Sequence, residues 1–146
     1  QKKKDLSKIQ IIEYSILFLI INYLHLSSKK IEELSELEFL NENNHELKNK
    51  IISLFLEGID IEQINSQINK SYPEIINEIS TNSNIQIILK NKKDHEIEEL
   101  LNDLIQDHAN QSNLKRIESL EQKLMNNLDE NSYSELVKLK NQLNRE

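Results

Sequence analysis

The chain of 146 residues contains no cysteine, a single glycine and a single proline. Without cysteine there is no disulfide and no thiolate metal site, which fits a cytosolic setting. With one glycine and one proline, tight hairpin turns are scarce and a β-rich fold is disfavoured. No glycine-rich loop is available to cradle phosphate, and no serine sits in a glycine-rich elbow. The most apolar run, residues 16–26, is shorter than the about 20 residues a membrane span needs. No basic segment with an apolar core and a small-residue cleavage site is visible. Positive charge is also in deficit: Lys and Arg total 18 against 25 Asp and Glu, for a formal charge of −7. That balance argues against binding a phosphate backbone as the main task.

What remains is rich in Leu, Ile, Lys, Glu and Asn, and its apolar residues recur at helical spacing. The chain starts at Gln1 rather than Met, so the expectation is a fragment of a longer protein, with residues 1–5 a linker remnant. From about Leu6, Ile9, Ile12, Ile16, Leu19, Ile20 and Tyr23 form one stripe, while Ile11, Phe18 and Ile21 fill other faces. A helix apolar nearly all round is buried on most sides, so this one is expected at the centre of a bundle. Leu26, Ser27 and Ser28 suggest its end and a cap for the next helix, with Ile31, Leu34 and Leu37 inward. Residues 41–44 form a turn with several cap candidates. Leu47, Ile51, Leu54 and Phe55 follow, and Gly58 falls where a residue of positive φ ends a helix. Asp60 and Gln63 make a capping box ahead of Ile61, Ile64 and Ile68. Pro73 opens another helix through Ile75, Ile76 and Ile79. Residues 85–89 read as a short helix or an extended strap, with the helical company of the chain weakly favouring helix.

The last third, residues 94–146, organises the rest. Ile97, Leu100, Leu101, Leu104 and Ile105 share one face of a long helix. The stripe lapses at residues 110–113 and resumes in a shifted phase as Ile117, Leu120, Leu124 and Leu128. Helical from 94 to 126, this element spans roughly 50 Å. Residues 128–131 break the pattern, Ser132 and Glu135 make a capping box, and Leu136, Leu139 and Leu143 form the stripe of a closing helix. The expected seam is Ile117, Leu120 and Leu124 against Leu136, Leu139 and Leu143. Two three-residue stripes bury little, so such a hairpin wants a bundle behind it or a partner in front.

Catalytic chemistry is missing from this pattern. The histidines, His25, His45, His95 and His108, form no His-Glu-x-x-His motif. His95, Glu99, Asp103 and Asp107 repeat every four residues along one helix face and read as a solvated polar face. Acidic pairs such as Glu32/Glu33 and Glu98/Glu99 fit solubility better than acid–base work. No catalytic residue, metal ligand or cofactor is expected.

Two stretches carry a resemblance. Ile31-Glu32-Glu33-Leu34-Ser35-Glu36-Leu37-Glu38-Phe39, followed by Leu47, Ile51 and Leu54, is similar to the leucine-rich helix, Leu-x-Phe turn and next helix of the C-terminal, helicase-binding domain of bacterial DNA primase. The segment from Leu128 through Leu136, Leu139 and Leu143, with Arg145 near the end, resembles that family's tail. The resemblance covers essentially the whole chain, through degenerate Leu/Ile patterns. It departs at Asn22-Tyr23-Leu24-His25, where the family often shows His-Pro-Glu-Leu.

The resemblance implies an all-α fold: a bundle over residues 6–110 joined by a long helix to a helicase-docking hairpin over residues 111–146. It implies no enzyme in this fragment. The parent it implies is a DNA primase whose zinc-binding and RNA-polymerising domains lie upstream, working in the bacterial cytoplasm at the replisome. The implied partner is the replicative helicase hexamer, through its N-terminal domains, with no nucleic acid or membrane contact. The chain itself is a monomer or a weak, swapped dimer. Helical spacing from the seam places Tyr133, Val137, Lys140, Asn141 and Arg145 on the outer face. The family's contact positions fall on Asn141 and Arg145. Two other readings stay open: the helicase's own N-terminal domain, and an unrelated all-helical adaptor.

Overall fold

Ser7 opens the first helix. Its hydroxyl accepts from the Gln10 amide while the Gln10 side chain accepts from the Ser7 amide, a reciprocal cap for α1 (Lys8–Asn22). The computed structural model describes residues 7–83, 85–126 and 130–143, and every regular element among them is helical. The protein is all-α. It divides into two units, Gln1–Gln106 and Asp107–Glu146.

In the first unit α1 is buried on nearly all sides; Ile9, Ile12, Ile16, Leu17, Leu19 and Ile20 are at most 6% exposed. A helix with no polar face can only be the one the others pack around. It stops at Asn22, short of the end that Leu26, Ser27 and Ser28 suggest. The Asn22 side chain donates to the Phe18 carbonyl at 2.8 Å, and Tyr23 leaves helical geometry at φ −134°. The chain then bends by 104° into α2 (Leu24–Ser27), a 3₁₀ turn and α3 (Ile31–Glu36). Ser27 and Ser28 do not cap α3: their hydroxyls turn back to the carbonyls of Tyr23 and His25, both at 3.0 Å.

The loop from α3 into α4 (Glu42–Leu56) runs over α1 and is partly buried, so its backbone groups need partners within the protein. Asn41 caps α4 by accepting from the Asn44 amide. Leu40 donates its amide to Glu13 Oε2 at 2.7 Å, and Phe39 donates to His45 Nδ1 at 3.2 Å. Lys48 donates to the carbonyls of Leu34 and Leu37 and lies 5.6 Å from the centre of the Phe39 ring. At the far end of α4, Gly58 adopts φ +76°. Its amide donates to Phe55 O and that of Ile59 to Leu54 O, the paired bonds of a Schellman ending.

α5 (Ile61–Ser71) buries Ile64 and Ile68 completely. The expected capping box at its start does not form, because Asp60 makes no side-chain cap bond. Nor is Ile61 inside. It is 41% exposed and borders an open cleft of about 370 Å³. Pro73 takes the first position of α6 (Pro73–Asn82), where its missing amide proton costs nothing. Residues 85–89 settle as helix: α7 (Gln86–Leu89) is a single turn.

α8 (Asp94–Asn126) is one helix of 33 residues, continuous through residues 110–113, which are half-buried. In the first unit its start is tied down by Lys29 to Glu98 at 3.1 Å and His25 to Asp94 at 3.6 Å. Ile97 and Leu101 are buried there, and Leu100, Leu104 and Ile105 pack against the same core. The second unit consists of the later turns of α8 and α9 (Glu130–Leu143).

Candidate functional site

The second unit is a helical hairpin held by one small core. Ile117, Leu120, Leu136 and Leu139 are buried together, and Leu124 and Leu143 pack against them. These are the six residues of the two stripes. Fully burying a side chain of this size contributes about 1.5–3 kcal/mol, so four buried and two partly buried residues make a thin core.

Opposite charges flank that core. Arg116 on α8 pairs with Glu135 on α9, and Lys140 on α9 pairs with Glu121 on α8 at 3.2 Å. All four side chains are substantially exposed, so each pair adds about 0–1 kcal/mol, and their effect lies more in register than in stability. Sequence reasoning missed both pairs. The signal was present, since each partner sits beside a seam leucine or isoleucine in its own helix.

The start of α9 corrects another expectation. The helix begins at Glu130, so Ser132 lies within it rather than at its cap, and Glu135 is engaged with Arg116 instead of reaching back to a cap amide. Leu128 and Arg145 lie outside the described residues. The other outer-face candidates are all exposed. Tyr133 is 59% and Val137 41% exposed, one helical turn apart. Asn141 is exposed, and Lys140 is exposed while paired with Glu121. Tyr133 and Val137 thus place an aromatic and an aliphatic side chain in solvent beside polar Asn141 and basic Lys140.

Among the described residues no group of three or more His, Asp or Glu side chains is placed to hold a metal ion. None of their helices is long and apolar enough to cross a membrane; Lys8–Asn22 and Leu24–Glu36 reach that composition only together, across the 104° bend. No protein-family model, curated protein or solved structure matches the chain.

Proposed function

We propose that the hairpin is a protein-docking module, and that its partner is the set of N-terminal domains of a bacterial replicative helicase hexamer. In this reading the chain is a non-catalytic part of a DNA primase, and docking couples primer synthesis to fork unwinding. The observation that supports docking is the exposure of Tyr133 and Val137 on α9, one turn apart, while Leu136 and Leu139 of the same helix serve the seam. The choice of helicase as partner rests on the sequence resemblance. The acidic charge and the lack of catalytic groupings are consistent with an adaptor.

The test is calorimetric titration of the chain into a purified bacterial replicative helicase hexamer. Saturable binding that the isolated helicase N-terminal domains reproduce supports the reading. Absence of binding to the hexamer at micromolar concentrations overturns the choice of partner.

A further inference from the structure

The single-turn helix α7 faces two ways. Ile85 before it and Leu89 at its end are 5% and 9% exposed, whereas Ile87 and Ile88 are 80% and 54% exposed. Two neighbouring isoleucines in solvent on a four-residue helix are unfavourable unless something covers them. Beside them lies a cleft of about 210 Å³ between α7 and the first turns of α8, floored by Ile88, Leu89, Ile97 and Leu100. Its size is below the roughly 300–1,000 Å³ of small-molecule sites and suits an inserted side chain better than a cofactor.

Three carboxylates, Glu96, Glu99 and Asp103, and one ammonium, Lys92, line this cleft. Glu96 is satisfied: it accepts from the Lys93 amide at 3.1 Å and pairs with Lys92 at 3.6 Å. The Lys93 amide, with Lys92 adding to it, holds the Glu96 carboxyl below its usual range. Glu99 and Asp103 also line the cleft, one turn apart, and neither has an ion-pair partner among the described residues. Like charges at this spacing repel along a helix. A ligand bringing two cations one helical turn apart would relieve that repulsion while its apolar face covered Ile87 and Ile88.

We propose that the α7–α8 cleft is a docking surface for a basic amphipathic helix of a protein partner. Carboxylates at i, i+4 match lysines or arginines at i, i+4 on a partner helix, because both repeat at about 6 Å. The apolar floor takes the adjoining face, as in helix-in-groove recognition. Nucleic acid and anionic lipid are repelled by the same carboxylates. This surface lies in the first unit and does not depend on the hairpin's partner.

The probe is a fluorescent 18-residue peptide of Leu and Lys, with leucines at 3–4 spacing and lysines one turn apart beside them. A scrambled peptide of the same composition is the control. Binding is read by anisotropy with the full chain, and folding by circular dichroism. The patterned peptide is expected to bind at least tenfold more tightly than the scrambled one, and more weakly as salt rises. Ile87→Ser with Ile88→Ser, and separately Glu99→Gln with Asp103→Asn, each lower that affinity at least tenfold. Glu32→Gln with Glu33→Gln removes the same charge from α3 and leaves it unchanged. Three results overturn the proposal: no preference for the patterned peptide, an equal loss in the α3 variant, or Ile87-dependent dimerisation in sedimentation, which assigns the cleft to a second copy of the chain.

Discussion

The ammonium of Lys48 lies 2.6 Å from the carbonyl oxygen of Leu37, with that of Leu34 at 2.9 Å, inside a fully buried side-chain site. Both carbonyls belong to the end of α3 and its exit, where a helix leaves acceptors unsatisfied. Lys48 donates to both from the next helix, adding to the bond that the Leu34 carbonyl already accepts from the Leu37 amide.

That arrangement sets a pH dependence. Burial pushes the Lys48 ammonium down to about 8, against the opposing pull of the Glu38 carboxylate. Below pH 8 the folded and unfolded chains both carry the proton, and this group contributes no slope. Between about 8 and the group's ordinary value of 10.5 the unfolded chain holds more proton, so the contribution of this group to stability rises with pH. The stability of the wild type minus that of Lys48→Met, from urea titrations, should be level up to about pH 8 and then climb by a few kcal/mol at most, at about 1.4 kcal/mol per unit. A difference level through pH 10 would show that Lys48 titrates normally.

The centre of the bundle is its least tolerant part. Ile16 and Ile20 are 0% and 1% exposed on α1, surrounded by the largest core cluster. An aspartate at either position buries a carboxylate with no prepared partner. Ile16→Asp or Ile20→Asp should unfold the first unit, while Ile16→Ala should cost about 2–5 kcal/mol and leave it folded. Far-UV circular dichroism with thermal melts checks both, and an unchanged melting midpoint in the aspartate variants counts against a core centred on α1.

Gly58 separates a backbone effect from a packing effect. A Cβ added there meets nothing within 4 Å, yet φ is +76°. Gly58→Ala should therefore destabilise by about 1 kcal/mol through the left-handed conformation alone, and Gly58→Asn by less. Equal denaturation midpoints for all three chains would place the helix ending elsewhere.

Much of the fold was legible because it follows from periodicity. The stripe from Ile9 to Ile20, the inward residues Leu47, Ile51 and Leu54, and the seam residues of the hairpin all recur at 3–4 spacing. Gly58 marks a helix ending of positive φ, and Pro73 a helix start where its missing amide proton is no loss. The illegible parts are polar groups that serve a distant backbone. Glu13 is buried on the central helix and accepts from Leu40, and Lys48 reads as a surface lysine until α3 is folded over it. The break at Tyr23 was hidden because Leu24 and Leu26 continue the apolar content while the axis turns. On the candidate surface, spacing alone identifies Tyr133 and Val137 as lying off the seam; the engagement of Lys140 with Glu121 depends on side-chain reach across two helices.

The two cores differ greatly in size, and α8 belongs to both. Amides near Ile97 and Leu101 are backed by the large core, those near Ile117 and Leu120 by the six-residue one. Hydrogen exchange should show the first group opening only with global unfolding and the second at a distinctly lower free energy, with the change falling between residues 106 and 117. Uniform, strong protection from Leu101 through Leu120 would mean that the hairpin and bundle unfold as one.

The docking surface yields the sharpest variant. Val137 is 41% exposed between Leu136 and Leu139, so its side chain points off the seam. An aspartate there places a charge at the centre of the proposed contact without entering the core. Arg145, by resemblance a contact position, is reversed in the same chain. Val137→Asp with Arg145→Glu should abolish binding to the helicase hexamer in titration calorimetry. Far-UV circular dichroism should be unchanged, because Val137 does not belong to the seam cluster. Truncating the seam gives the contrast: Leu136→Ala should lower hairpin stability by about 2–5 kcal/mol and weaken binding only through loss of fold. If the folded double variant binds with unchanged affinity, α9 is not the contact. The docking face then moves to the other hairpin helix, around Lys115 and Glu118, both of which are exposed.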